Sequence, residues 1–200
     1  MFVDQPESTW LTCESAMSEI SEDAGKGAGG FELPEAPTLR SEMIELNPST
    51  VYLDLLLVDA DMDPGFHEHF DRPDDGDEKA IRWVLLPQDT RQPSGFIDVS
   101  VFNQAARVLE AGYWLMPARR RQGLTKAAME LVAEWVREST DAAQIQLEIK
   151  TENTASAGLA KALGYEHRGS CRPPLPRPQN ELRELYSLQI DDPTAPEDPA

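Results

Sequence analysis

Two hundred residues suffice for one well-buried core, or for one domain with tails. The formal charge of −18, from 36 acidic and 18 basic side chains, argues against non-specific nucleic-acid binding and against docking on anionic membranes, and favours cationic partners. Two cysteines make neither a disulfide scaffold nor a zinc knuckle, and neither a membrane-length apolar run nor a signal peptide is legible, so a cytoplasmic location is expected.

Residues 1–48 read as an N-terminal extension. Trp10, Cys13, Met17 and Ile20 recur at helical spacing, which predicts a short amphipathic helix, and SEDAGKGAGG (21–30) has the composition of a flexible connector. The run TVYLDLLLV (50–58) predicts the first strand. In the next segment Asp59, Asp61 and Asp63 imitate a calcium loop. Pro64 stands where that loop needs glycine, however, and Phe70 where it needs a bidentate glutamate. His67 and His69 are two apart and share no helical face, so no metal site is expected. RPDDGDE (72–78) is a charged turn. AIRWVLL (80–86), GFIDVSVF (95–102) and residues 112–116 follow as strands on short polar connections, the pattern of an antiparallel meander.

The period then changes. Leu124, Ala128, Leu131, Trp135 and Val136 form one stripe of a helix over 123–139, QIQLEIK (144–150) alternates as a strand, and 154–163 is a second helical pattern closed by Gly164. Strand, helix and strand make a β-α-β unit, so the strands at 112 and 145 are expected to be parallel neighbours. Residues 165–168 open another extended piece. The four prolines of CRPPLPRPQ (171–179) exclude regular structure, ELRELYSLQI (181–190) is the last strand, and 191–200 is a disordered acidic tail. One domain over 49–190 therefore carries the function.

The stretch that organises the chain is LEAGYWLMPARRRQGLTK (109–126), a strand, a basic turn and a helix start. The first turn of a helix presents unpaired N–H groups and the positive end of its dipole. Glycine permits close approach of a phosphate, and Arg119, Arg120 and Arg121 add donors on an otherwise acidic protein. A cradle for a phosphorylated cofactor is the expectation.

Two blocks, GYWLMPARRRQGLTKAAMELVAEW and IQLEIKTENTASAGLAKALGY, resemble the GCN5-related N-acetyltransferases (GNAT), nearest the RimJ/RimL branch that acetylates ribosomal-protein N-termini. Pro117, Arg120 and Gly123 match the first motif, with Thr125 at its last position; Glu148, Asn153, Ser156, Gly164 and Tyr165 match the second. The resemblance implies an α+β (α/β) fold: a mixed, mostly antiparallel central sheet with splayed parallel central strands flanked by helices. It implies acetyl-CoA as the cofactor, its pyrophosphate on the backbone N–H groups of Arg121, Gln122, Gly123, Leu124 and Thr125, with Arg120 and Arg121 on phosphates. Leu115 would pair its backbone with the pantetheine arm and Asn153 would contact that arm. Thr125 departs from the family's glycine or alanine, and Arg121 from a frequent glycine; cofactor binding is expected to survive both.

Transfer of an acetyl group to an amine needs a base, a polarised carbonyl and a proton for the leaving thiolate. Glu148 resembles the strand glutamate that serves some relatives as base, with Glu110 in reserve. The tyrosine that many relatives place seven residues after the asparagine is Ala160 here, and Ser156 is the suspected substitute acid. With no Ser-His-Asp or Cys-His arrangement, the amine attacks the thioester directly. The expected acceptor is a primary amine, such as a basic ribosomal-protein N-terminus or an amino sugar, and the chain is a monomer or homodimer. The alternative is a non-catalytic acyl-CoA-binding or protein-interaction domain.

Overall fold

The computed structural model describes residues 31–48, 80–172 and 181–190. The expected N-terminal helix and connector, the strand at 50–58, the segment 59–78, most of the proline-rich stretch and the acidic tail lie outside those residues. The elements in chain order are β1 (Leu39–Arg40), β2 (Ile44–Asn47), β3 (Ala80–Pro87), β4 (Gly95–Asn103), β5 (Val108–Leu115), a 3-10 turn (Pro117–Arg119), α1 (Leu124–Ser139), β6 (Gln144–Lys150), α2 (Thr154–Ala162), β7 (Glu166–Cys171) and β8 (Arg183–Gln189).

Among the described residues they form one sheet in the order β1-β2-β3-β4-β5-β6-β8-β7. β1 to β5 run as an antiparallel succession, and β8 enters between β6 and β7, antiparallel to both. The sheet reaches back before Thr50. β1 and β2 lie within the stretch read as an extension, and Ile44 and Leu46 are fully buried. The indole Nε1 of Trp83 donates to the carbonyl of Pro37 at 2.7 Å, which ties the chain ahead of β1 to the sheet.

Strand alternation gives the sheet two unlike faces. Ile81, Trp83 and Leu85 of β3, Ile97 and Val99 of β4, Leu109, Ala111 and Leu115 of β5, and Ile145, Leu147 and Ile149 of β6 join one apolar core. α1 covers that core with Leu124, Ala128, Met129, Val132, Trp135 and Val136, while Leu131 of the expected stripe is only half-buried. Trp135 meets Trp83 edge-on with ring centroids 5.1 Å apart. Burial of large side chains at roughly 2–3 kcal/mol each makes this the dominant stabilising surface. α2 adds Ala160 and packs on the same side. The opposite face carries the polar members of the same strands, among them Asp98, Glu110, Gln146 and Ser187, all buried.

β5 and β6 are parallel, as the β-α-β pattern predicts, but only over Val108↔Gln144, Leu109↔Ile145 and Glu110↔Gln146. Beyond that point β5 stays with β4 as far as Leu115, and β6 stays with β8 as far as Lys150. The central strands therefore part, and among the described residues each leaves one backbone edge without a strand partner.

Candidate cofactor cradle and acyl-transfer cleft

The cleft is the wedge between the parted strands, closed at the Glu110–Gln146 pair and open toward Leu115 and Lys150. At its open end the chain turns through Pro117–Arg119 into α1. Gly95 allows the turn: a Cβ there would sit 2.3 Å from the carbonyl oxygen of Trp114, so only glycine admits the end of β5 so close to β4.

The start of α1 has the features of an anion site. Its N-cap is Gly123, left-handed at φ 79°, with no capping side chain and no acidic residue in the first turn. The backbone hydrogen bond from Ala127 N–H to the Gly123 carbonyl, 3.0 Å, opens the helix, so the preceding N–H groups have no intrahelical acceptor. Arg121 is also left-handed, at φ 64°, and such alternation turns successive N–H groups toward one concavity. Arg120, Arg121 and Gln122 are exposed, Leu124 is buried and Thr125 half-buried. Met43, at the turn between β1 and β2, flanks the cradle: its Cε lies 3.7 Å from where a Gly123 Cβ would stand. The chemistry of this donor set fits a pyrophosphate.

The basic side chains are not all directed there. Arg120 Nε donates to the Leu115 carbonyl at 3.0 Å, clamping the end of β5. Arg119 Nη2 donates to Thr90 Oγ1 at 3.2 Å, and Lys126 pairs with Glu130 at 3.4 Å along the outer face of α1. Asn153 is the N-cap of α2, its Oδ1 accepting from Ser156 N–H at 3.1 Å.

The remaining candidate groups divide between the two sides of the sheet. Glu110 and Glu148 alternate with the core residues of β5 and β6, which puts both on the polar face. Glu110 closes the wedge, and Glu148 stands on β6 beyond its last pair with β5, in the stretch that pairs with β8. Gln146, opposite Glu110 in register and two residues before Glu148, is fully buried, and its amide oxygen and nitrogen make no hydrogen bond among the described residues. The same face holds Asp98, bound by Arg82 at 3.0 Å, with Arg82 lying over Phe96 and Phe96 stacked on Trp114. Ser156 belongs to the other side, in the first turn of α2. There the sequence reading missed Tyr113, whose hydroxyl is buried without a well-formed hydrogen bond. Burial raises the Tyr113 pKa, and the nearby Ser156 hydroxyl partly opposes that rise. Tyr165, buried beside it, is pushed up by burial and by Tyr113. The alternation Leu109, Ala111, Tyr113, Leu115 was the available signal for Tyr113: it places the phenol on the helical side of a strand that leads to the cradle.

Residues 59–166 match the family model described as "Acetyltransferase (GNAT) domain". Uncharacterized N-acetyltransferase YoaA of Bacillus subtilis (strain 168) is 26% identical over 96 residues, 48% of this chain and 54% of the relative; the chain thus spans about half the length of that curated protein. The fold is similar to that of a probable GNAT-family acetyltransferase from Chromobacterium violaceum ATCC 12472 (TM-score 0.66, 20% identity, 82% of this chain and 91% of that one). It is also similar to the ribosomal-protein-S5-alanine acetyltransferase from Vibrio fischeri (TM-score 0.62, 15% identity, 78% and 98%).

Proposed function

The chain belongs to the GNAT acetyltransferase family, and on that premise we propose that it transfers the acetyl group of acetyl-CoA to a primary amine by direct attack. The observation that carries this reading is the parting of β5 from β6 directly ahead of an uncapped helix start with Gly123 in the left-handed region. An extended, amide-bearing arm satisfies backbone groups that the parted strands leave open, and the helix start takes the phosphates beyond it.

Acetyl-CoA supplies an activated thioester. The N–H groups of residues 121–125 and the Arg121 guanidinium hold its pyrophosphate, and Arg120 exchanges the Leu115 carbonyl for phosphate when the arm enters. The backbone near Leu115 pairs with the arm and orients the carbonyl, and Asn153, already capping α2, fixes the loop beside it. Glu148 takes the proton that the acceptor ammonium must lose, directly or through a water. Glu110 at the closed end of the wedge holds positive charge in place. Both carboxylates lie on one face, which favours a cationic acceptor over a neutral one.

Protein N-termini suit this face, as in the RimJ/RimL branch to which the two sequence blocks are similar, and so do amino sugars. Among the described residues no helix is long and apolar enough to cross a membrane; a cytoplasmic enzyme acting as monomer or homodimer is the corresponding reading. CoA release is measured over a panel of alanine- and serine-initiated basic peptides and amino sugars. At least one amine is expected to raise release well above the amine-free rate. Acetyl-CoA binding with no acceleration by any amine would contradict transfer and favour a non-catalytic acyl-CoA-binding domain.

A further inference from the structure

The family tyrosine that serves as acid is Ala160 in this chain, and Ala160 is fully buried in the core. Ser156 alone is a weak replacement: an aliphatic hydroxyl is far less acidic than a thiol and yields its proton reluctantly. We propose that Tyr113 supplies the hydrogen-bond donor and the proton for the sulfur of acetyl-CoA, a role that rests on the acetyl-transfer reading above.

Three observations meet at this side chain. Tyr113 lies on β5 three residues past the last pair with β6, on the wall of the wedge and two residues from Leu115. Its ring packs against the main core on the side of α2, while the residue keeps partial exposure. Its hydroxyl is buried and makes no well-formed hydrogen bond. A buried hydroxyl that faces the Ser156 hydroxyl without a well-formed hydrogen bond is poorly satisfied, and native structures tolerate this mainly where a ligand completes the arrangement. Tyr165 has a hydroxyl of the same kind, but it follows α2, bonds its N–H to the Ala160 carbonyl at 3.0 Å and is enclosed at 4% exposure. Tyr113 is the phenol on the strand that lines the wedge. A phenol is protonated at neutral pH, and burial, which raises its pKa, leaves it in that form, the one a donor requires.

The amine nitrogen gives its electron pair to the carbonyl carbon, and the C–S bond breaks with its pair on sulfur. Tyr113 Oη–H gives its proton to that sulfur. The proton lost by the amine passes to Glu148 and then to solvent, and solvent returns one to Tyr113 by way of the Ser156 hydroxyl. Base and acid thus work from opposite faces of the sheet, meeting through the gap between its central strands.

Tyr113→Phe removes one atom that has no well-formed hydrogen bond of its own, so its melting temperature is expected to match wild type. Calorimetry compares CoA with desulfo-CoA, in which hydrogen replaces the thiol. Wild type is expected to prefer CoA by about fivefold and Tyr113→Phe to bind both alike, as loss of one hydrogen bond predicts. In the amine assay kcat is expected to fall about 10²-fold with KM for acetyl-CoA nearly unchanged, while Tyr165→Phe keeps its rate. Equal binding of the two ligands by wild type, or a Tyr113→Phe that keeps both the preference and the rate, overturns the proposal. So does equal loss of both ligands, which would make Tyr113 a packing residue. A wild type that turns over no amine contradicts the transfer reading itself, whereas an active wild type with an unaffected Tyr113→Phe removes Tyr113 alone.

Discussion

Glu148 and Glu110 are the same residue type on the same face, and position separates them. Glu110 is paired at the closed end of the wedge and 4% exposed, whereas Glu148 lies where β6 has parted from β5 and is half-buried. A base that serves a diffusing amine needs the open position. Glu148→Gln is therefore expected to lower kcat by about 10²-fold while the acetyl-CoA Kd changes less than about twofold, with Glu110→Gln the milder variant. Steady-state rates beside calorimetry check this, and an unchanged rate removes Glu148 from the mechanism. Glu148 was singled out by its motif spacing and its place on an alternating strand, and Glu110 only as a residue ahead of the strand expected from Gly112. Tyr113 was not, because an aromatic in an apolar strand reads as core; only the register with β6 shows that it lies beyond the last pair.

At the scale of elements, α1 and β6 were legible almost to the residue, since a long apolar stripe and a seven-residue alternation each carry their own signal. β5 begins at Val108, four residues before the expected start at Gly112, because Glu110 interrupts the apolar run that its burial contradicts. β1 and β2 escaped entirely. LR and IELN are too short and too polar to announce strands, and pairing with β3 creates them. What pins β2 is Glu45, 3% exposed and bonded by Arg40 at 2.9 Å, Arg91 at 3.0 Å and Asn47 at 3.1 Å. The Arg91 bond foremost, with help from Arg40 and Asn47 and against the cost of burial, holds the Glu45 pKa down to about 2 from 4.5. A depressed carboxylate stabilises the fold above its unfolded pKa, and that contribution is lost as pH falls from about 4.5 through about 2. Its size is on the order of 3 kcal/mol at most, reduced by salt because both arginines are exposed. Urea unfolding of wild type and Glu45→Gln at pH 7, 4 and 2.5 is expected to show a gap that narrows as pH falls. A gap independent of pH would assign Glu45 a packing role only.

For the whole molecule, the meander and the parallel β-α-β unit were predictable because neighbours in sequence are neighbours in the sheet. The entry of β8 between β6 and β7 was not. EHRGSC, the sequence of β7, is polar and exposed, as befits an edge strand, and nothing local announces its partner. On a chain of net charge −18, an anionic cofactor must be held against the overall field, so the backbone at the start of α1 has to supply the attraction. Calorimetric titration of acetyl-CoA into wild type, Gly123→Ala and Gly123→Glu tests that requirement most directly. Wild type is expected to bind in the micromolar range, with a modest loss for alanine, which meets only Met43 Cε at 3.7 Å but is strained at φ 79°. Glutamate, which adds a negative charge at the phosphate position, is expected to lose about 10²-fold or more. Equal binding by wild type and Gly123→Glu, or no binding by wild type, would contradict the requirement.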